Sequence, residues 1–282
     1  MKKKLYTPKK QPMSIAFFVS GGGGNLQAAL DLSEKFPDKL SVDLVISDRL
    51  NIPAIQIANK RNIPVISKDF DRICGLSSYL QKGKHNINYQ KNAEHLHNEI
   101  LEEIKQFEFL RGYKIDLAVL SYHRWIQGDL LHYFKDRMIN QHPADLSVLD
   151  ENFKRKYIGL NGVQAALLDK QSFTRTTTFL VKEGFDNGEI LCMGPKVEFH
   201  ETTINLKNII AQEQVQKEKS DWPSLKFALY HISNGNFEIC ENKKHHDSSR
   251  TIYFLEKELP YRGVPIENEE VFIWNKVTLA SI

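Results

Sequence analysis

In the first half of the chain, short apolar runs rich in Val and Ile alternate with stretches whose apolar residues recur every three or four positions. Ser14–Ser20, Val42–Ser47, Ile63–Ser67, Asp116–Ser121 and Met138–His142 predict buried strands. Asn25–Glu34, Pro53–Arg61, Ala93–Phe109 and Asp129–Phe134 predict helices between them. Strand–helix alternation at this interval means βαβ units, because parallel strands need a crossover long enough to hold a helix. Pro53 suits the first turn of its helix, and Pro64 limits only the start of its strand.

Leu80–Asn92 is polar and lacks period, so it reads as a loop or insertion ahead of the long helix. Past residue 150 the pattern changes. "TTTFLV" and "ILCMGPKVEF" predict strands of a more antiparallel kind, and "TINLKNIIAQEQVQKEKSDWPSLKFALYHI" predicts one or two helices. The expected fold class is α/β, a mostly parallel twisted sheet flanked by helices with a more antiparallel C-terminal half. Residues 1–13 read as a basic tail, 14–240 as one catalytic domain, and 241–282 as an extension packing on it.

Composition narrows the function. The chain is 41% hydrophobic and 26% charged, which is globular rather than disordered or fibrous. Its apolar runs are far too short to span a bilayer, and the basic N-terminus runs straight into glycines rather than into a secretory apolar region. The expectation is a cytoplasmic protein without a membrane partner. Cys74, Cys192 and Cys240 form no CxxC pair, which argues against a disulfide framework or a zinc site. A net charge of only +3 gives no general reason to expect nucleic acid, and the lysines before Gln11 read as solvated. His95 and His97, and likewise His245 and His246, read as solvent-facing rather than as metal ligands. Small-molecule substrates are expected, on a monomer or a homodimer.

The stretch "IAFFVSGGGGNLQAALDL" places four glycines between a strand and a helix. Helix N-terminal N–H groups attract anions, and glycines let backbone approach an oxyanion closely. The run lacks the Gly-Lys-Ser/Thr ending of a P-loop. A G-x-G-x-x-G dinucleotide pattern begins at Gly21 and Gly23 but meets Leu26 where the third glycine belongs; begun at Gly22 and Gly24 it meets Gln27. A site for a single phosphate is the preferred reading, with Asn25 as helix cap or amide donor. Downstream, "RMINQHPADL" puts Asn140 and His142 two apart on a strand, hence on one face. An amide beside an imidazole suits a developing oxyanion and proton transfer. "TTTFLVKEGFDNGEILC" admits two readings of Asp186: a turn residue in an Asn-Gly hairpin, or a carboxylate aimed at His142.

Taken in order, "SGGGGNLQA", "LAVLSYHRWI", "NQHPADL", "KYIGLNGVQAAL", "TTTFLVKEGFDNGEIL" and "IIAQEQ" resemble the folate-dependent formyltransferases, nearest to the branch acting on glycinamide ribonucleotide in purine biosynthesis. The resemblance runs from about Ser14 to Pro265 and implies a Rossmann-like formyltransferase fold. It further implies transfer of a formyl group from 10-formyltetrahydrofolate, as co-substrate, to a primary amine, without a metal. By position, Asn140, His142 and Asp186 become the catalytic trio. Gly23, Gly24 and Asn25 become the phosphate cradle, and Glu213 the holder of the substrate's amino end. His123, Arg124, Trp125 and Ile126 become the folate-lining segment, partly through backbone groups, with Asn140 also at the folate; Lys91 stands near a basic folate-side position. The chain departs from the family pattern at "GGGGN", which lacks a polar residue among its glycines, and at Phe179, where histidine is common. It departs again at "DLSVLDENFKRK", a longer and more charged connection.

Other functions remain open on the residues. A nucleotide-linked amino sugar fits the intact trio as the amine formylated. Hydrolysis of formyltetrahydrofolate, methionyl-tRNA formylation, an NAD-dependent oxidoreductase and a catalytically silent binding protein are further alternatives.

Overall fold

Seven consecutive residues, Met13–Val19, are all buried, as expected of a strand in a parallel sheet covered on both faces. A computed structural model describes residues 1–75, 87–201 and 203–267. The elements in chain order begin with strands β1 (Lys2–Lys4) and β2 (Met13–Val19), helix α1 (Gly24–Lys35), β3 (Leu40–Ser47), α2 (Pro53–Lys60), β4 (Val65–Ser67) and α3 (Phe70–Cys74). They continue with α4 (Ile87–Arg111), β5 (Leu117–Ser121), α5 (Gly128–Tyr133), β6 (Met138–His142) and α6 (Gly162–Leu168). Next come β7 (Phe173–Thr174), β8 (Thr177–Leu180), β9 (Ile190–Met193), β10 (Val197–Glu198) and α7 (Leu206–Gln216). A π-turn (Lys217–Asp221) leads into α8 (Trp222–Ser233), then β11 (Phe237–Lys244), β12 (Arg250–Phe254), β13 (Lys257–Glu258) and β14 (Val264–Pro265).

The chain divides into two compact units. One holds Lys9–Ile139. Its strands lie in the order β5–β2–β3–β4, all parallel. Helix α4 buries Tyr89, Ala93, Leu96, His97, Ile100, Leu101 and Ile104, a stripe at three- and four-residue spacing. The helix begins at Ile87, so the polar stretch that reads as a loop up to Asn92 is helical over its last six residues. Tyr89, buried one turn before Ala93, is what extends the apolar stripe. Residues 80–86 lie outside the described residues.

The other unit joins Met1–Pro8 to the chain from Asn140 onward. It contains β14–β9–β8–β6, with β8 and β9 antiparallel and β14 and β9 parallel. A second sheet, β1–β11–β12–β13, is antiparallel throughout. The chain passes from one compact unit to the other at 8/9 and at 139/140. Lys2, Lys3 and Lys4 pair with Cys240, Ile239 and Glu238, so the start of the supposed tail is a strand. The supposed extension supplies β12, β13 and β14, as far as it is described. No helix among the described residues is long and apolar enough to cross a membrane.

Candidate active site

The glycine loop leaves β2 and enters α1 directly. Gly23 is the N-cap, at φ 82°, and a Cβ there would lie 2.9 Å from Ile57 Cδ1 and 3.0 Å from Ala54 Cα. Only glycine meets both demands. Around Gly21 and Gly22 nothing lies within 4 Å of a built Cβ, so the loop is open there. Asn25 is the second residue of α1 and does not cap it; no side-chain oxygen and no acidic residue serves the first turn. These N–H groups therefore meet neither a side-chain cap nor a fixed negative charge. Leu26, at the third-glycine position of a dinucleotide fingerprint, is fully buried in the core.

In the same unit, the segment after β5 is tied to the loop's first turn: the His123 N–H donates to Ser20 Oγ at 2.8 Å. The His123 side chain is exposed and Trp125 half-buried, whereas Ile126 is buried. Arg124 points inward. Its guanidinium is wholly buried and donates to Asp48 (2.6 Å), Asp71, the Tyr89 hydroxyl (3.0 Å) and the Gly75 carbonyl (3.3 Å). Burial opposes its charge, but Tyr89, Asp71 and Asp48 outweigh burial and raise its pKa. Arg49 bridges the same Asp71 at 3.3 Å and donates to the Ser20 carbonyl at 3.3 Å. Whatever the 123–126 segment offers a ligand, the Arg124 side chain is engaged inside the protein. Lys91 is exposed on α4. His95 is exposed and 3.2 Å from Glu99, but His97 is the reverse of what its sequence suggests. It is fully buried against Phe70 and Tyr122, and burial together with the Arg124 charge pushes its pKa down to about 3.

His142 and Asp186 meet in the unit that holds Met1–Pro8 and the chain from Asn140 onward, with Asn140 two residues before His142 on the same strand. Strand period sets the first two on one face of β6, while Gln141 turns the other way and donates to Ser224 Oγ (2.9 Å) and the Asp221 carbonyl (2.6 Å). The Asn140 amide oxygen accepts the Gln141 N–H at 2.9 Å, which leaves its NH₂ end as the donor. Asp186 sits at the tip of the β8–β9 hairpin, so it is both turn residue and partner of His142. Its φ is 47°, and its Oδ1 lies 3.4 Å from His142 Nδ1. Its other oxygen accepts the Gly159 N–H at 2.6 Å. Burial pushes the carboxyl up, but the His142 ring, the Gly159 hydrogen bond and the Arg155 guanidinium outweigh it and hold the carboxyl below the usual range. The second ring nitrogen, His142 Nε2, faces the Tyr157 carbonyl, so both neighbours of the ring are acceptors.

Several residues at the site carry no obvious sequence signal: the Tyr157 carbonyl, Gly159, Arg155 and Gly162, where a Cβ would lie 2.9 Å from His142 Nε2. The glycines of "YIGLNG" are the only hint. Phe179 packs into an apolar cluster with Leu146, Ile190 and Met193. Glu213, on α7, is half-buried, and burial raises its pKa against the opposing charge of Lys217. Among the described residues no group of three His, Cys, Asp or Glu side chains could hold a metal ion.

The formyl transferase family profile matches residues 13–217. The chain is 25% identical over 239 residues to the Homo sapiens trifunctional purine biosynthetic protein adenosine-3, covering 84% of this chain and 20% of that protein. It is 26% identical over 180 residues to the chloroplastic phosphoribosylglycinamide formyltransferase of Vigna unguiculata, covering 63% and 49%. It thus spans a fifth and about half of the lengths of these two relatives. The solved phosphoribosylglycinamide formyltransferase of Coxiella burnetii superposes with a TM-score of 0.63 at 18% identity, covering 91% of this chain and 100% of that one, which establishes the fold. With the profile spanning most of its length, the chain belongs to the formyl transferase family.

Proposed function

We propose that this chain transfers a formyl group from 10-formyltetrahydrofolate to the primary amine of a phosphorylated small molecule, glycinamide ribonucleotide in purine biosynthesis. One observation carries the reading: an amide donor and an imidazole share one strand face, with a carboxylate 3.4 Å from the imidazole. The names of the Vigna unguiculata and Coxiella burnetii relatives support the choice of amine. In the reaction a bond forms between the amine nitrogen and the formyl carbon, the carbon–N10 bond breaks, and the proton lost by the amine passes to N10. Asn140 donates to the oxyanion that develops on the formyl oxygen, with His142 as second donor and proton carrier. Asp186 fixes the ring and balances its charge. Because Nε2 is turned to the Tyr157 carbonyl, His142 donates to the oxyanion by sharing that proton.

Gly23, Gly24 and Asn25 would receive the phosphate through the uncapped N–H groups of α1. His123–Ile126 and Asn140 would line the folate pocket, with the 123–126 segment contributing backbone groups because Arg124 is engaged internally. Glu213 would meet the substrate's amino end. The test is a transfer assay with purified protein, 10-formyltetrahydrofolate and glycinamide ribonucleotide. Tetrahydrofolate release is expected, and none above background overturns the proposal. Transfer only to a nucleotide-linked amino sugar would keep the reaction and change the substrate.

A further inference from the structure

The charged connection "DLSVLDENFKRK" (145–156) departs from the family pattern, and the polar run "ENKKHHDSSR" (241–250) interrupts the resemblance. The structure joins them behind Asp186. The connection folds on itself: Asp150 Oδ1 accepts the N–H groups of Asn152 and Lys154, each at 2.8 Å, and Lys156 N–H reaches the Val148 carbonyl at 3.0 Å. That turn presents Arg155, whose side chain is only 7% exposed. One arm of the guanidinium donates to the Asp186 carbonyl at 2.6 Å, and the other to the Gly188 carbonyl. The two acceptors bracket the hairpin tip on either side of Asn187.

The remaining side of the fork is held by the polar run and its sequel. Arg155 Nε donates to the Tyr261 hydroxyl at 3.1 Å, and that hydroxyl donates to Asp247 Oδ2 at 2.7 Å. The same Asp247 oxygen lies 3.6 Å from Arg155 Nη2, and its partner oxygen accepts the Ser249 N–H at 3.0 Å. His245 and His246 pack against the Tyr261 ring at 5.4 and 5.1 Å between centroids; His246 is exposed, as expected, and His245 half-buried. Within the hairpin the Lys182 N–H reaches the Asn187 carbonyl at 3.0 Å and the Asn187 amide reaches the Glu183 carbonyl at 2.8 Å, and any swing of that closed tip moves the carboxylate that faces His142. A planar fork gripping two carbonyls restrains both translation and rotation.

We propose that Arg155 is a positioning residue for Asp186, and that Asp247 and Tyr261 act on the reaction by holding Arg155. The inference rests on the catalytic reading of Asp186 given above. Arg155→Met should lower kcat about 10- to 100-fold, the scale of an ångström's misplacement, with both KM values held within about twofold. Arg155→Lys should recover only part of that loss, since an ammonium cannot bridge both carbonyls as a fork. Asp247→Asn and Tyr261→Phe, which do not touch Asp186, should each lower kcat about 2- to 10-fold, and Asp247→Asn should add nothing to Arg155→Met. That non-additivity separates positioning from loss of folded protein, which would lower the active fraction in both backgrounds alike. A kcat for Arg155→Met within twofold of wild type, or losses that simply add, overturns the inference and leaves the proposed function standing. Should Arg155→Met fail to fold, a kcat unchanged in both Asp247→Asn and Tyr261→Phe overturns it. Wild type without transfer to any amine overturns both.

Discussion

Arg124 and Arg155 are both buried arginines in charged clusters, and they do different work. Arg124 lies in the motif "HRWI", which the family resemblance marks as ligand-lining, yet its guanidinium faces two carboxylates, a phenol and a carbonyl inside the Lys9–Ile139 unit. Arg155 lies in a connection without any motif, yet two of its donors grip the carbonyls on either side of the proposed catalytic turn. The difference lies in the partners. Carboxylate partners make an arginine a matter of charge balance, so its loss is felt as stability. Arg155 also faces the Asp247 carboxylate, but its two carbonyl partners lie on the turn that carries Asp186, so its loss is expected in turnover.

The sharpest way to break the Arg155 side is Gly188→Ala. A Cβ there would sit 1.8 Å from the Leu180 carbonyl oxygen, with φ already at 132°. The hairpin must open, carrying Asp186 away from His142, and kcat should fall about 10³-fold or more. Breaking the Arg124 side calls for Arg124→Met, which leaves the buried Asp48 with only Arg49, 4.0 Å away, as a cation. The expected cost is about 3–5 kcal/mol in a denaturant melt, and Arg124→Lys should restore part of it.

Asn140→Ala touches neither cluster. It should lower turnover about 10²–10³-fold while a folate analogue binds almost normally, and unchanged turnover would remove Asn140 from the mechanism. The smallest effect sharpens the rule from the other direction. Asp221 is buried with hydroxyl and amide partners, and burial raises its pKa to about 6. A carboxyl with a raised folded pKa holds its proton better in the folded state, so stability falls as pH rises from about 4 through 6. Asp221→Asn should remove that dependence and gain on the order of 2–3 kcal/mol over wild type above pH 6, measured by denaturant midpoints across pH.

Much of this was legible along the chain. Strand β6 matches its expected bounds, Met138–His142, and β2, β3 and β5 differ from theirs by one or two residues, because each is an apolar run bounded by turn residues. Asp186 could be named but not decided, since an Asn-Gly hairpin requires the same residues whether or not a histidine lies opposite. The start of helix α4 is hidden in the sequence because Tyr89 is the one buried side chain among the described residues of a polar run. The burial of His97 is hidden for a related reason: helical period shows that it differs in face from His95, but not which face turns inward.

The succession of strands and helices, the mostly parallel α/β class, the family, and Asn140 and His142 on one strand face can all be read along the chain. All of these rest on local period or on short strings of residues. Long-range packing alone turns Arg124 inward, pairs the first lysines as a strand, and sets Arg155, Asp247 and Tyr261 behind Asp186. Those contacts join positions 106 residues apart, from Arg155 to Tyr261, and 238 apart, from Lys2 to Cys240. Such partners are chosen when folding brings distant segments into a shared buried volume, where each polar group must find an acceptor or donor. No local pattern records that choice.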